Sequence, residues 1–344
     1  MARTGITQRI GFDSVEPDTT KRLRPDAARR RFLLVVVIAV LALPLARPII
    51  GSYNYVLQLG LITLMWIAIT SSWNIIGGFA GYISLGHNVF FGIGGYASGM
   101  ALAYWKWNPF MTAVIAGIIA VLVGLVFGLI TLRARGPAFI ISTIALLLLV
   151  GLWFDNWETA GGGSGLSLPL PQLSVQWLKV PFYYAMAILA IGSVYLSYRV
   201  AHSKFGLGLR ALSQDETKAE VAGINTRWYK VIAFAMSGLF IGMAGAIFAY
   251  SLSYLRPTTF FEIGLAAQMV LMAIIGGRGT VAGPVIGAVL INAINEFSVV
   301  QFGATALNIA VTGGILLVAL LFFPLGIVGS LREAGRLPAV LDWD

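Results

Sequence analysis

The stretch of residues 203–225, SKFGLGLRALSQDETKAEVAGIN, is a long polar passage between two strongly apolar segments. Within it Glu216 follows Ser213 by three residues, which is the spacing of a capping box: the serine hydroxyl accepts the N–H of Glu216, and the carboxylate accepts the N–H of Ser213. Gly223 predicts the helix end, because glycine readily adopts the left-handed conformation that closes a last turn. The stretch therefore predicts a short helix over residues 214–222.

One face of this predicted helix suits contact with another protein. Ala219 and Ala222 lie three residues apart on that face, and their small side chains permit a close approach. Charged residues surround the face: Asp215, Glu216, Lys218 and Glu220. A short helix with this pattern suits insertion into the groove of a partner protein. The alternative is an ordinary solvated loop.

The composition of the 344-residue chain is that of a membrane protein. Hydrophobic residues make up 58% and charged residues 11%, against roughly 25% charged in a soluble protein. The mean hydropathy is +0.86. No soluble stretch is long enough for a second domain, so we predict an all-α polytopic membrane protein. The net charge of +9 is then explained by the positions of the charges, without nucleic-acid binding.

The distribution of charge divides the chain into three parts. Residues 1–31 are predicted to be a disordered basic cytoplasmic tail, residues 32–329 the transmembrane domain, and residues 330–344 a second cytoplasmic tail. Most Lys and Arg residues then lie on the cytoplasmic side, as the positive-inside rule requires. Both termini are therefore expected in the cytoplasm.

Ten apolar segments are candidates for crossing a bilayer, which takes roughly 20 helical residues. They are residues 32–50, 53–76, 77–104, 110–132, 138–157, 181–199, 230–252, 263–277, 281–300 and 307–323. Pro44 predicts a bend or break in the first of them. An alternative has eight crossings, with residues 77–104 or 263–300 in re-entrant hairpins.

The motif Ile-Ile-Gly-Gly occurs twice, at residues 75–78 and 274–277. Each copy ends one apolar run and opens a glycine-rich one. Paired interruptions in two halves of a transporter indicate discontinuous helices around a central pathway. Chance is an equally good explanation in a chain with 40 glycines.

Motifs for catalysis are absent from the sequence. There is no GxxxxGK[ST] P-loop and no HExxH, and the lack of cysteine excludes disulfides and thiolate metal sites. The chain therefore cannot hydrolyse ATP through a P-loop of its own. We expect neither enzymatic activity nor a bound cofactor on it.

Two polar positions in predicted membrane segments are candidates for function, because ionisable groups are costly there. His87, next to Asn88, could line a pathway, although a hydrogen bond to a neighbouring helix is the commoner role. Glu296 has Asn292 and Asn295 as its nearest polar candidates for a partner. Its position near the outer end of a span favours snorkelling to the interface.

Five segments together resemble one transporter family. They are WNIIGGFAGYISLGHNVFFGIGGY (73–96), RARGPAFIISTIAL (133–146), GGGSGL (161–166), LRALSQDETKAEVAGINTRWYKVIAFAMSGLFIGMAGAIFA (209–249) and IIGGRGTVAGPVIGA (274–288). In this order they are similar to the membrane permease of the branched-chain amino acid ABC importers, the LivM-type subunit. The resemblance covers about residues 53–329, and the basic N-terminal tail lies outside it.

The resemblance implies an ATP-driven uptake system in a bacterial inner membrane. This chain would form the translocation pathway with a second, similar permease subunit; a heterodimer is favoured, and a homodimer is the alternative. Two cytoplasmic ATPase subunits would hold ATP and Mg²⁺, and an extracytoplasmic solute-binding protein would deliver the substrate. Related permeases serve urea and short-chain amides, so the resemblance leaves the substrate open among these and the branched-chain amino acids.

The resemblance also assigns residues 203–225 as the loop that couples the permease to its ATPase. Glu216, Ala219 and Gly223 match the E-x-x-A-x-x-x-G core of that loop, and Lys218 stands where the family often has alanine. The candidate coupling residues are Ser213, Asp215, Glu216, Ala219, Glu220, Ala222 and Gly223. A secondary transporter is the less favoured alternative, because the coupling-ion groups that it needs at the bilayer midplane are scarce.

Overall fold

The structure is a computed structural model that describes most of the chain. The described residues are 26–46, 53–134, 136–170, 177–303, 310, 313–314, 317–318, 321–323, 325–338 and 341–343. Their helices are α1 (Asp26–Ala42), α2 (Tyr53–Asn74), α3 (Asn88–Trp105), α4 (Pro109–Thr131), α5 (Pro137–Asn156), α6 (Val180–Ala201), α7 (Lys204–Gln214), α8 (Glu216–Val221), α9 (Thr226–Leu252), α10 (Pro257–Phe260), α11 (Ile263–Gly277), α12 (Ala282–Phe302) and α13 (Gly326–Glu333). Strands β1 (Leu166–Ser167) and β2 (Tyr254–Leu255) form a short antiparallel pair.

Seven helical segments of the described chain are long and apolar enough to cross a membrane. They are Tyr53–Phe79, Pro109–Thr131, Pro137–Asn156, Val180–Ala201, Thr226–Leu252, Pro257–Gly277 and Ala282–Phe302. Each coincides with one of the ten predicted segments. About half of the predicted segment 307–323 lies outside the described residues. The protein is thus mainly helical and polytopic, and the number of ten crossings stays a prediction.

The first helix begins earlier than its predicted start at residue 32. Helix α1 already starts at Asp26 and runs to Ala42. A 3₁₀ turn, Leu43–Ala46, follows and contains Pro44. The carbonyl of Pro44 accepts a hydrogen bond from the Tyr53 hydroxyl at 2.7 Å, which ties this break to the start of α2. The predicted break near the proline is confirmed.

The predicted segment 77–104 is not one continuous helix, and its crossing of the membrane stays a prediction. Helix α2 continues as a π turn, Ile75–Phe79, the chain then passes through the non-helical segment 80–87, and α3 begins at Asn88. Glycine is a poor helix former, and two consecutive glycines in the π turn weaken continuation of the helix. The indole N–H of Trp73 donates to the carbonyl of Ser84 at 2.9 Å and holds segment 80–87 against α2.

Helix α9 lies at the centre of the described bundle and packs against α2, α3, α4 and α6. Its contact with α3 depends on glycine: a Cβ atom at Gly94 would lie 2.1 Å from the carbonyl oxygen of Gly242. Helix α4 covers α9 from outside and exposes Met111, Ile118 and Ile130, as expected of a surface that faces lipid. Helices α7 and α8 lead directly into the first turn of α9, so they are attached to the central helix.

Candidate functional site

The polar stretch 203–225 forms two helices, α7 and α8, instead of the single helix predicted. Ser203 caps α7, because its hydroxyl accepts the backbone N–H of Gly206 at 3.1 Å. The chain bends at Asp215, whose backbone is extended (φ −160°, ψ 110°), and α8 begins at Glu216. The bend sets α8 apart as a separate short helix between α7 and α9.

The predicted capping box of Ser213 and Glu216 is wrong. Ser213 belongs to α7, and its hydroxyl donates to the carbonyl of Arg210 at 2.8 Å. Asp215 caps α8 instead, since its Oδ1 accepts two backbone N–H groups of the first turn at 3.0 and 3.1 Å. The backbone N–H of Lys218, followed by its ammonium, holds the pKa of Asp215 below the ordinary value of 3.8. An ionised carboxylate here also interacts favourably with the helix N-terminus.

The end of α8 is the one predicted. Gly223 has φ +87°, and its N–H donates to the carbonyl of Glu220 at 2.9 Å. The N–H of Ile224 donates to the carbonyl of Ala219 at 3.0 Å, which completes a Schellman motif. Left-handed glycine therefore ends the helix just after Val221.

Two of the predicted coupling residues point into their own chain. Ala219 is only 3% exposed, so the prediction that it shares a partner-facing surface with Ala222 is wrong. Glu216 uses both carboxylate oxygens: Oε1 pairs with the Lys230 ammonium at 2.6 Å, and Oε2 accepts the Tyr82 hydroxyl at 2.5 Å. We call Glu216, Lys230 and Tyr82 the Glu216 network. It joins α8 to α9 and to segment 80–87.

The sequence did not single out Lys230 or Tyr82 as site residues. In the sequence, Lys230 is one of the basic residues that the positive-inside rule places on the cytoplasmic side, at the start of an apolar span. Tyr82 lies 134 residues from Glu216 in the sequence, inside a run without charged residues. The available signal is a lysine at the start of an apolar span, because a charge that becomes buried there requires a partner.

The opposite face of α8 is open. The side chain of Lys218 is 86% exposed and pairs with Asp215 at 3.3 Å, and Val221 is 87% exposed. Thr217, Ala222 and Gly223 are also exposed. A Cβ atom built on Gly223 would meet nothing within 4 Å. Residues 217, 218 and 221–223 thus form the free face of α8.

A charged cleft lies between α4, α8 and α9. Its volume is about 310 Å³, and its charged lining comes from Arg133, Glu216, Glu220, Arg227 and Lys230. Glu220 also accepts a hydrogen bond from the Thr226 hydroxyl at 2.6 Å. This bond fixes the end of α8 to the first residue of α9.

Segment 80–87 is in contact with α7 as well as α8. The guanidinium of Arg210 lies 5.7 Å from the ring centre of Phe79, within the range of a cation–π contact. A Cβ atom on Gly81, which has φ +78°, would lie 3.1 Å from Cβ of Ser213. Both helices of the polar stretch therefore rest on the chain that follows the first Ile-Ile-Gly-Gly motif.

The two Ile-Ile-Gly-Gly motifs meet in space. The side chain of Asn74, directly before the first motif, donates to the carbonyl of Thr280 at 2.8 Å. Its Oδ1 accepts the N–H of Gly279 at 3.0 Å, just after the second motif. A Cβ atom on Gly78 would lie 2.7 Å from the backbone nitrogen of Gly279. The two segments of the chain can therefore approach this closely only because residue 78 is glycine.

His87 and Asn88 lie inside the protein. His87 is fully buried, with Nε2 at 2.8 Å from the Ser237 hydroxyl and its ring edge-on to Phe90. The Asn88 amide donates to the carbonyl of Glu262 at 2.7 Å. These are the hydrogen bonds between neighbouring elements that the alternative interpretation expects. A role of either residue in a pathway stays a prediction.

Glu296 has a partner on another helix. Its Oε1 accepts the hydroxyl of Tyr55 at 2.6 Å, near the start of α2. The amide of Asn292 instead donates to the Thr63 hydroxyl at 2.8 Å. Hydrogen bonds between polar side chains therefore join α2 and α12. The partner of Glu296 is Tyr55, whereas the sequence suggested Asn292 or Asn295.

Most of the chain is similar to known proteins. The family described as "Branched-chain amino acid transport system / permease component" matches residues 55–320. The high-affinity branched-chain amino acid transport system permease protein LivM of Escherichia coli (strain K12) is 26% identical over 335 residues, which cover 88% of this chain and 76% of the relative. No solved structure matches.

Sugar permeases are also similar. The ribose import permease protein RbsC of Escherichia coli (strain K12) is 28% identical over 180 residues, covering 51% of this chain and 56% of the relative. The L-arabinose ABC transporter permease protein AraH of Azospirillum brasilense is 24% identical over 258 residues, which cover 74% of this chain and 66% of the relative. The chain thus belongs to the branched-chain amino acid transport system permease family and is a multi-pass permease component of an ABC transporter.

Proposed function

We propose that this chain is a permease subunit of an ATP-driven importer of branched-chain or related amino acids. The alignment with LivM carries this proposal, because it extends over 88% of the chain, whereas the ribose permease aligns with 51%. The chain works in a bacterial inner membrane, beside a second permease subunit. Two cytoplasmic ATPase subunits hold ATP and Mg²⁺, and a solute-binding protein delivers the substrate from outside.

The geometry of α8 supports the coupling role. An ATPase that closes on ATP can move a permease only through a rigid contact. Helix α8 is capped by Asp215, ended by Gly223 and bonded to α9 through Glu216 and Glu220, so it moves with the central helix. Its free face lies beyond these bonds and can enter a groove of the ATPase.

Import of a sugar is the second candidate function. The similarity to ribose and arabinose permeases favours it, since both align with this chain at comparable identity. Urea and short-chain amides are further candidates, from the sequence resemblance. These substrates differ in charge from an amino acid, which carries both an ammonium and a carboxylate, so transport assays separate them.

Two measurements test the proposal. The tagged chain is captured from its native membrane in mild detergent, and the proteins that accompany it are identified by mass spectrometry; we expect a P-loop ATPase and a second permease. Uptake of labelled leucine, ribose and urea is then compared in cells with and without the gene. Leucine uptake that depends on the gene and on ATP supports the proposal. Gene-dependent uptake that survives ATP depletion would contradict ATP-driven import and favour the alternative of a secondary transporter.

A further inference from the structure

We propose that the Glu216 network is a positioning element that transmits motion of α8 to segment 80–87, and that Glu216 does not itself contact the ATPase. This inference rests on the proposed function. It separates two tasks within one short helix: the free face binds the ATPase, and the network face carries the movement into the membrane domain.

The first argument is that both oxygens of the Glu216 carboxylate have partners within this chain. One oxygen pairs with Lys230 at 2.6 Å and the other accepts from Tyr82 at 2.5 Å. The side chains of Glu216 and Lys230 are only 13% and 5% exposed. A partner protein reaching this carboxylate would have to compete with an ion pair that is largely buried, and separating that pair is unfavourable.

The second argument is that Lys230 holds several elements at once. Its ammonium lies 3.5 Å from the carbonyl oxygen of Leu132 at the end of α4, 3.4 Å from the Tyr82 hydroxyl and 5.1 Å from the centre of the Tyr82 ring. The Tyr82 ring also packs edge-on against Phe139 of α5. A displacement of α8 therefore reaches α4, α5, α9 and segment 80–87 together.

The third argument is the continuity from Tyr82 to the contact between the two Ile-Ile-Gly-Gly motifs. Tyr82 N–H donates to the carbonyl of Ile76 in the π turn at 3.1 Å. Asn74, directly before that turn, is bonded to Gly279 and Thr280 between α11 and α12. Hydrogen bonds thus connect α8 with the turn between two membrane helices. This is a contiguous contact path, and energetic coupling along it is what the experiment measures.

The experiment uses the complete transporter in cells that lack the native gene. The full-length tagged chain carries Lys230→Met or Tyr82→Phe, and the matched controls are Lys106→Met at an exposed lysine and Tyr195→Phe at an exposed tyrosine. Three quantities are measured: the ATPase captured with the chain, the substrate uptake, and the ATP hydrolysed for each substrate transported in vesicles.

We expect Lys230→Met to capture the ATPase as wild type does and to lose uptake about tenfold or more, because Glu216 is left buried without its counter-charge. ATP hydrolysed per substrate transported rises in both network variants, and the smaller change is in Tyr82→Phe, which loses one hydroxyl. The controls stay at the wild-type ratio. A merely destabilised chain would lower the amount of complex without raising this ratio.

Two outcomes would overturn the inference alone: wild-type uptake and ATP ratio in both network variants, or loss of ATPase capture at normal amounts of folded chain. If Lys230→Met does not accumulate in the membrane, Tyr82→Phe decides, because it keeps the ring and its packing. Absence of any ATPase from the wild-type preparation would overturn the proposed function itself, so the two failures are distinguishable.

Discussion

The two faces of α8 differ in what they contact. The inward face is bonded to its own chain through Glu216 and packed through Ala219, while the free face exposes Lys218 and Val221. The E-x-x-A-x-x-x-G pattern falls on the inward face and the helix end, and the residues between the pattern positions point outward. Under the proposed function, the pattern positions therefore specify how α8 is held against its own chain, and the residues between them supply the contacts with the ATPase.

The largest effect is expected from Val221→Asp on the free face. We expect the captured ATPase to fall about tenfold or more, because under the proposed function an apolar side chain of the contacting face is replaced by a charge that must be desolvated. Val221 is 87% exposed in this chain, so the melting temperature of the isolated permease stays unchanged. Capture from detergent extracts and thermal unfolding of the purified chain measure the two quantities.

The matched change on the inward face is Ala219→Asp. It places a charge in a position that is only 3% exposed, so it lowers the stability of the permease itself. The two aspartate variants therefore separate the faces by their readouts. Equal capture by Val221→Asp and wild type would place the ATPase contact elsewhere on the chain.

A smaller effect is expected from Gly223→Leu, which should leave the protein inserted and impair coupled uptake severalfold. A left-handed conformation costs a residue with a Cβ about 1 kcal/mol, and Gly223 has φ +87°. A Cβ atom at this position would meet nothing within 4 Å in this chain, so the substitution acts through backbone strain and through the bulk it adds to the free face. Uptake and ATPase capture are measured together.

Gly223→Asn is the control for backbone strain, because asparagine tolerates the left-handed region better than leucine does. We expect it to retain more uptake than Gly223→Leu. Wild-type transport by the leucine variant would contradict the coupling role of this helix end.

Local rules in the sequence predicted the parts of the site that depend on neighbouring residues. The stop at Gly223 follows from one glycine, and the break near Pro44 follows from one proline. The prediction of where α8 starts was wrong because Ser213 and Asp215 are both good capping residues and lie two positions apart. Pattern alone did not show that α7 extends through Ser213 and leaves the cap to Asp215.

Long-range contacts could not be predicted from the sequence. The inward direction of Glu216 depends on Tyr82, 134 residues away, and on the buried position of Lys230. Likewise, the sequence did not decide whether the two Ile-Ile-Gly-Gly motifs are a repeat or a coincidence. Only the folded chain shows that Asn74, directly before the first motif, is hydrogen-bonded to residues 279–280, just after the second. Apolar runs located seven candidate spans, but the runs do not reveal a π turn or a loop inside the glycine-rich segment.

The smallest expected effect is on hydrogen exchange in α8, and it tests whether Asp215 or Ser213 caps this helix. Asp215→Ala should speed hydrogen exchange of the amides in α8 severalfold, because two N–H groups of the first turn lose their acceptor. Ser213→Ala should leave those amides unchanged, since the Ser213 hydroxyl bonds only within α7. Asp215→Ser restores a capping oxygen and should recover most of the protection. Slower exchange in Asp215→Ala than in Ser213→Ala would reverse the assignment.

The same cap predicts the effect of pH. The pKa of Asp215 is lowered in the folded chain, first by the backbone N–H of Lys218, so ionisation of this carboxyl stabilises α8. The contribution is fully present above the ordinary pKa of 3.8 and is lost only as the pH falls through the lower folded value. Protection of the α8 amides in wild type, relative to Asp215→Asn, should therefore stay constant from neutral pH down to that ordinary pKa. A decline already near neutral pH would mean that a group other than Asp215 controls the start of the helix.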